Sequence, residues 1–179
     1  IRAGVVQMGE LIDGLLTLAQ VSRASLRWEP VDLSALAEEL LKGYQAREPG
    51  RTCRCQVEPA LLARGDARLL RQVLDNLLGN AWKFTGPQAC AEIALGRETS
   101  PQGQSVYVVR DNGAGFDMAE AFRLFTAFER LHTQSEFAGT GIGLATVARI
   151  IERHGGRIWA DSAPGLGARF YFTLGAQPA

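Results

Sequence analysis

The chain has 179 residues, and 46% of them are hydrophobic, enough for one cored domain of ordinary size plus an additional element. Lys plus Arg and Asp plus Glu number 19 each, which excludes a basic field that would hold nucleic acid or an acidic membrane nonspecifically. No apolar run approaches the roughly 20 residues that cross a bilayer, and nothing at the start resembles a signal peptide. We expect a cytoplasmic piece without nucleic-acid or membrane contact, whether or not a membrane anchors the full-length protein.

The N-terminal segment, from Val5 to about Val21, carries an apolar stripe with a near-heptad rhythm. This rhythm is typical of a helix in a bundle. Gly4, Gly9 and Gly14 each cost about 1 kcal/mol relative to alanine in a helix interior, so packing must stabilise the helix. Two partners remain open at this point, a second helix in a coiled-coil-like dimer and the chain's own domain.

The rest of the chain alternates between helical and strand patterns. Hydrophobic spacing and turn residues predict strand Leu26–Val31, a helix from Asp32 or Ser34 to about Arg47, strand Thr52–Val57, helix Leu69–Thr85 with Asp66 as its N-cap, strands Ala89–Leu95 and Ser105–Arg110, an irregular stretch Asp117–Thr140, helix Gly141–Arg153, and strands Arg157–Ala160 and Ala168–Leu174. No strict βαβ rhythm is present. The pattern therefore predicts an α+β fold with a helix layer on a mixed sheet.

The helix Leu69–Thr85 combines a buried face with an unusual polar stripe. Asn76, Asn80 and Lys83 fall at i, i+4 and i+7, which places two amides and one ammonium along one side of the helix. Such a stripe could hold a metal-bound phosphate. The alternative is a solvated helix edge with two chance asparagines.

Two glycine-rich loops follow. Asp111–Gly115 comes after a predicted strand, which places a carboxylate at a strand end beside a tightly turning backbone. An ordinary turn uses the same residues. The loop Gly139–Leu144 opens directly into a helix whose N-terminal amides favour phosphate. Its spacing fits neither the dinucleotide fingerprint nor the P-loop.

The chain has three cysteines, an odd number. Cys53 and Cys55 are separated by one residue, and Cys90 stands alone. They lack the second pair or the histidines that a zinc site requires. We therefore interpret them as reduced strand residues.

Four segments, taken in order, resemble the motifs of the catalytic ATP-binding domain of sensor histidine kinases, in the wider family of gyrase B, Hsp90 and MutL. Asn76–Thr85 is similar to the N box, Asp111–Gly115 and Gly139–Leu144 to the two glycine boxes, and Phe125–His132 to the phenylalanine box. The resemblance covers essentially the whole chain. Ala127 departs from it, because many members carry proline there.

The resemblance implies a fold and a division of the chain. The fold would be a two-layer α/β sandwich of the Bergerat type, with helices on one face of a mixed sheet and one long helix before it. Residues 1–25 would be the second helix of a dimerisation domain, present only in part, and residues 26–179 the catalytic domain. The residues of the motifs are also similar to those of kinases linked to phytochrome or PAS sensors.

The resemblance also implies site roles for ATP and Mg²⁺. Asp111 would accept the adenine amino group, and Asn80, helped by Asn76, would ligate Mg²⁺. Lys83 and Arg130 would offset phosphate charge, and with Asn80 they form the implied catalytic set. The implied nucleotide contacts are Asn76, Asn80, Lys83, Asp111, Gly113, Gly115, Phe128, Arg130, Gly139, Gly141, Gly143 and Leu144. Leu131–Ala138 would be a lid, or else a plain surface loop.

The implied function is transfer of the ATP γ-phosphate to a histidine and then to an aspartate of a response regulator. His132 and His154 are the chain's histidines, and neither sits in the family's acceptor context, so we expect the acceptor outside these residues. The expected partners are the protein's own dimerisation-domain histidine, a receiver domain and a second copy in a homodimer. The alternatives are an ATP-hydrolysing conformational machine, whose relatives carry glutamate where Asn76 stands, and a degenerate nucleotide-binding module.

Overall fold

The structure is a computed structural model that describes residues 25–129 and 140–176, together with Ile12, Leu16, Ala19 and Val21. Its helices and strands, in chain order, are β1 (Glu29–Asp32), α1 (Leu33–Arg47), β2 (Cys53–Val57), β3 (Leu62–Gly65), α2 (Ala67–Phe84), β4 (Ala91–Thr99), β5 (Ser105–Asp111), a 3₁₀ helix (Met118–Arg123), α3 (Gly143–Arg153), β6 (Ile158–Ser162) and β7 (Ala168–Phe172).

The strands form two sheets. The larger has five strands in the order β2-β4-β5-β7-β6, with β2 parallel to β4 and every other neighbour antiparallel. The smaller pairs β1 with β3 in antiparallel register. The predicted α+β class with a mixed sheet is confirmed.

One hydrophobic core lies between the helices and one face of the large sheet. The buried residues of α2 are Leu69, Leu70, Val73, Leu74, Leu77, Leu78, Ala81 and Trp82. They join the same cluster as Ile93 and Leu95 of β4 and Phe170 and Phe172 of β7. Full burial of one such leucine contributes about 1.5–3 kcal/mol, so this face of α2 anchors the helix to the sheet. Its opposite, polar side is thereby held in a fixed direction.

The helix starts agree with the predicted caps. Asp32 accepts a hydrogen bond from the backbone N–H of Ala35 at 3.0 Å, and Asp66 accepts one from Leu69 at 3.2 Å. Both satisfy an amide that the first helical turn leaves open. Helix α3 starts at Gly143 and has no side-chain cap. Its N-cap residue, Ile142, therefore supplies no side-chain acceptor of the kind that Asp32 and Asp66 supply to α1 and α2.

A buried histidine joins the end of α3 to the start of α2. His154 follows α3 and is 0% exposed. Its Nε2 accepts a hydrogen bond from the backbone N–H of Asp66 at 3.0 Å, and its Nδ1 lies 2.8 Å from the Ile150 carbonyl. The ring also makes an edge contact with Trp28, with centroids 5.4 Å apart. The end of α3 is thus fixed to the start of α2.

Several elements of the structure differ from the predicted ones. Strand β3 was not predicted, because Leu-Ala-Arg-Gly contains no residue of high strand propensity and the strand exists through its pairing with β1. Strand β1 starts at Glu29 rather than Leu26. The stretch predicted to be irregular contains the 3₁₀ helix, which begins with an Asp117 cap on the Ala119 amide.

The cysteines and the N-terminal helix agree in part with the predictions. Cys53 and Cys55 lie in β2, whereas Cys90 lies just before β4. Ile12, Leu16, Ala19 and Val21 are helical, and the rest of the predicted helix lies outside the described residues. Ile12 and Leu16 are 56% and 54% exposed, so the domain does not cover this apolar side. Within the described residues, no helix combines the length and hydropathy needed to cross a membrane.

Candidate nucleotide-binding site

The polar stripe of α2 is held partly open to solvent. Asn76, Asn80 and Lys83 are all half-buried, on a helix whose other side is fully packed. The Lys83 ammonium lies 4.2 Å from the centre of the Phe84 ring. About 12 Å of helix axis separates Asn76 from Phe84, since each residue rises 1.5 Å. The stripe therefore spans a length comparable to a bound nucleotide and connects two distinct clusters.

The first cluster is centred on Asp111, the last residue of β5. Its Oδ1 accepts a hydrogen bond from the backbone N–H of Gly113 at 2.8 Å. Burial raises the pKa of Asp111 to about 6, while hydrogen bonds from the Gly113 and Ala168 backbones lower it. The carboxylate is thus a partly desolvated acceptor that is still ionised at neutral pH.

The loop after Asp111 is wedged between the end of α2 and the turn that joins β6 to β7. The Ala114 amide donates to the Phe84 carbonyl at 3.2 Å, and a Cβ on Gly113 would lie 2.6 Å from that same oxygen. Gly115 has a φ of +63°, and a Cβ there would overlap the Ala163 carbonyl. Because only glycine fits both conditions, the loop needs Gly113 and Gly115 for its packing.

Two residues outside the predicted set fix this loop. The Asn112 side chain accepts from the Glu92 amide at 2.8 Å and donates to the Cys90 carbonyl at 3.0 Å. Ser162 accepts from the Phe116 amide at 2.9 Å and donates to the Gly167 carbonyl at 2.7 Å. Asn112 lies inside the recognised motif and could have been noted there. Nothing in the sequence around Ser162 indicates its role.

The second cluster lies where α3 begins. The Asn76 Nδ2 donates to the Gln72 carbonyl at 2.9 Å, which leaves the amide oxygen of Asn76 facing Gly143. A Cβ on Gly143 would overlap that oxygen. The polar stripe of α2 therefore meets the uncapped, dipole-positive start of α3.

The residues before α3 close onto the phenylalanine-rich stretch. The Phe128 amide donates to the Gly141 carbonyl at 3.0 Å, and both residues have positive φ, +69° and +75°. A Cβ on Gly141 would lie 2.9 Å from the Glu129 carbonyl. The Phe128 side chain is 48% exposed. Leu144 is the second residue of α3 and half-buried.

Several predicted residues lie outside the described part of the chain. These are Arg130, Gly139, His132 and the predicted lid 131–138. The described geometry brings Asn76 to Gly143, Phe128 to Gly141, and Asp111 with Gly113 and Gly115 to the end of α2.

The donor set fits a magnesium–phosphate complex better than a metal held by protein alone. Among the described residues, no group of three or more His, Cys, Asp or Glu side chains is placed to hold a metal ion. Mg²⁺ commonly takes only one or two protein oxygen ligands and completes its octahedron with phosphates and water. The amide oxygens of Asn76 and Asn80 are of this hard type.

A separate groove lies on the outer side of α3. Its volume is about 470 Å³, and Phe125, Ala145, Arg149, Glu152 and Arg157 are among its lining residues. None of the predicted nucleotide contacts lines it. Since both glycine loops and the α2 stripe lie elsewhere, we assign it no part in nucleotide binding.

Comparisons with known proteins identify the family of the chain. The family profile described as "Histidine kinase-, DNA gyrase B-, and HSP90-like ATPase" matches residues 65–178. Cyanobacterial phytochrome A of Nostoc sp. strain PCC 7120 is 37% identical over 173 residues, covering 96% of this chain and 22% of that protein. The circadian input-output histidine kinase CikA of Synechococcus elongatus is 35% identical, covering 94% and 23%. The chain thus spans under a quarter of these relatives.

Solved structures show the same fold. Full-length ShkA in complex with AMPPNP superposes with a TM-score of 0.70 at 31% identity, over 94% of this chain and 36% of that one. The mycobacterial sensor histidine kinase MprB gives 0.67 at 27% identity, over 86% and 100%. These matches confirm the predicted similarity to histidine kinase catalytic domains. The chain belongs to the family of histidine kinase-, DNA gyrase B- and HSP90-like ATPases.

Proposed function

We propose that this chain is the ATP-binding catalytic module of a two-component sensor histidine kinase. It transfers the γ-phosphate of Mg-ATP to a histidine outside these 179 residues, and from there the phosphoryl group passes to an aspartate of a response regulator. The observation that supports this most is the meeting of the Asn76 amide oxygen with the uncapped start of α3. An oxygen ligand next to a dipole-positive helix end suits a metal-bound phosphate chain.

The two clusters divide the work of binding. Asp111 accepts a hydrogen bond from the adenine amino group, while its own backbone stays fixed by the loop that Gly113 and Gly115 allow. The amides at Gly141, Gly143 and Leu144 bind phosphate oxygens. Asn80 and Asn76 ligate Mg²⁺, which neutralises developing charge on the phosphates when it is bound. Phosphoryl transfer depends mainly on such positioning and charge neutralisation.

Lys83 and Arg130 supply positive charge near the phosphates in this proposal. Lys83 lies on the same side of α2 as the two asparagines, one turn beyond Asn80. Arg130 directly follows the last described residue of the segment that Phe128 ties to Gly141.

The N-terminal helix is proposed to belong to a dimerisation domain. Ile12, Leu16 and Ala19 are spaced at i, i+4 and i+7 and are exposed, and Arg153 donates to the carbonyl of the buried Val21. The helix therefore touches the domain at its end and leaves an apolar side available to a second copy. On this basis we propose a division into residues 1–25 and residues 26–179.

Hydrolysis is the second candidate activity, since the family also contains dedicated ATPases. A general base within reach of the attacking water accelerates hydrolysis by a typical 10²–10⁴-fold. Asn76, at the place where hydrolytic relatives carry glutamate, has an amide that cannot accept a proton at neutral pH. We therefore expect slow phosphate release from ATP by the purified chain.

The test is incubation with γ-labelled ATP, with and without an added dimerisation hairpin that carries the acceptor histidine. Without the hairpin we expect nucleotide binding and no self-labelling, and with the hairpin we expect acid-labile, alkali-stable label on it. Asn80→Ala should lose both binding and transfer, whereas Gln88→Ala, on an exposed site after α2, should keep both. Stoichiometric label on the chain alone, or rapid phosphate release, would contradict the proposal.

A further inference from the structure

Two thiols on β2 lie close together, and the proposed kinase function uses neither of them. Cys53 and Cys55 are two residues apart on one strand, so their side chains share a face of the sheet. Their Sγ atoms are 3.5 Å apart. Both are free and half-buried. Strand β2 forms an edge of the five-stranded sheet, with β4 as its neighbour within it.

The spacing suits a bridging atom better than a disulfide. Bond formation would need the sulfurs to close to about 2.05 Å, while Cα atoms two residues apart on a strand, about 6.6 Å, are near the outer limit for a disulfide. A three-coordinate, pyramidal centre with bonds of about 2.3 Å to sulfur and angles of roughly 90–100° between them holds its two sulfur ligands about 3.3–3.5 Å apart. The observed 3.5 Å lies at the upper end of that range.

The surroundings favour a two-sulfur site. Burial, and then the hydrogen bond to Cys55, raise the pKa of Cys53 to about 12, so Cys53 keeps its proton and can donate it to Cys55. The Gln45 side-chain amide also donates to the Cys55 sulfur at 3.8 Å. In the described part of the chain, no third His, Cys, Asp or Glu joins the pair in a group suited to a metal. A centre that brings its own remaining ligand therefore fits best.

We propose that Cys53 and Cys55 form a bidentate binding site for trivalent arsenicals. An organoarsenous acid R–As(OH)₂ loses both hydroxyl groups to the pair. Two As–O bonds break, two As–S bonds form, and each thiol proton leaves with a hydroxide as water. Arsenic stays trivalent, so neither an oxidant nor a reductant is needed. The site lies on β2, which carries none of the predicted nucleotide contacts.

The probe is phenylarsine oxide, added to the reduced full chain and followed by native mass spectrometry. We expect one phenylarsenic group per chain, stable to excess glutathione and removed by dithiothreitol. The second As–S bond is intramolecular and strengthens binding by about 10²–10⁴-fold. Cys53→Ser and Cys55→Ser should therefore each weaken retention by about a hundredfold or more, and Cys90→Ser should retain the adduct.

Three results would overturn this assignment. They are the absence of a glutathione-resistant adduct on the wild-type chain, an equally stable adduct on Cys55→Ser, and loss of the adduct in Cys90→Ser. Thermal unfolding of each variant confirms that it is folded before the arsenical is added. If Cys53→Ser does not fold, the comparison of Cys55→Ser with Cys90→Ser decides the question alone.

Discussion

The two glycine loops contact α2 in different ways, the Asp111 loop at the end of the helix and the Gly143 loop at Asn76, near its middle. At the Asp111 end, the loop is fixed by hydrogen bonds to α2, β4 and the β6–β7 turn, and its glycines are tightly enclosed by backbone atoms. At the Gly143 end, the contacts among the described residues are those of one side chain, Asn76, and one hydrogen bond between Phe128 and Gly141. The Asp111 loop is thus held by a rigid, preformed set of contacts, whereas the position of the Gly143 loop depends on a side chain that can rotate. Variants at each end should therefore differ in whether they affect stability or binding.

The largest expected effect is loss of stability at the Asp111 end. Gly115→Ala places a side chain at positive φ and against the Ala163 carbonyl, which should cost about 2–5 kcal/mol from the backbone and the overlap together. We expect the unfolding midpoint to fall by about 5–15 °C in a thermal melt. Gly165→Ala is the matched control, because its φ is +77° and nothing lies near its Cβ. Equal losses in both variants would show that packing at Gly115 is unimportant.

The next effect concerns the identity of the base. Asp111→Asn presents an amide donor where the adenine amino group needs an acceptor, and such a mismatch costs about 1–3 kcal/mol. ATP affinity should fall by about five- to a hundredfold in a calorimetric titration, while GTP affinity should change less. An equal loss for both nucleotides would remove Asp111 from the base-contacting position.

A smaller effect is expected at the Gly143 end, and on binding rather than stability. Gly143→Ala forces the Asn76 side chain to another rotamer, at a cost of about 0.5–1.5 kcal/mol that the helix propensity of alanine offsets in part. Mg-ATP affinity should drop by about three- to tenfold, with little change in the melting curve. Gly43→Ala in α1, where nothing lies near the Cβ, is the control for propensity.

The Gly143 prediction can be sharpened with a double variant. Asn76→Ala combined with Gly143→Ala should bind Mg-ATP no more weakly than Asn76→Ala alone, because the rotated side chain is then absent. Additive losses would mean that Gly143 acts on phosphate through its own backbone and independently of Asn76.

The smallest effect is a pH dependence at the Asp111 end. Because the pKa of Asp111 is raised to about 6, the carboxylate becomes protonated as the pH falls from 7 to 5, and ATP affinity should weaken by up to about tenfold. The Asp111→Asn variant lacks the carboxyl group, so its pH dependence reports the protonation of ATP itself. That pH dependence is the baseline for the wild-type chain. Carboxyl ¹³C shifts of Asp111 should report the same midpoint. A midpoint near 4 would show that the carboxylate is well solvated.

The features of the fold and of the site also differ in how far the sequence predicted them. The α2 stripe, the Asp66 cap and the two glycine loops follow from spacing and turn chemistry, which are local. Strand β3 and the Ser162 contacts depend on pairing with segments distant in the chain, and no local pattern marks them. The close packing around Gly115 likewise could not be predicted from the sequence. The motif contains glycine at this position, but it does not indicate which carbonyl group excludes a side chain.

His154 extends the comparison to the opposite end of α2. With Nε2 accepting from the Asp66 amide and Nδ1 facing the Ile150 carbonyl, the ring is held neutral in one tautomer and offers no free nitrogen for phosphorylation. Burial lowers the pKa of His154 from its ordinary 6.5, so the unfolded chain takes up the proton first and this junction loses stability as the pH falls below about 6.5.

The pKa shift of Asp111 has the opposite effect on stability as the pH falls. Its raised pKa means that ionisation costs folding free energy above about pH 6, and that cost disappears as the pH falls toward 4. Mild acid therefore weakens the start of α2 at Asp66 and relieves the loop packed on its end at Phe84. Acidification therefore acts on the two ends of one helix with opposite sign, destabilising its start and relieving a cost at its end.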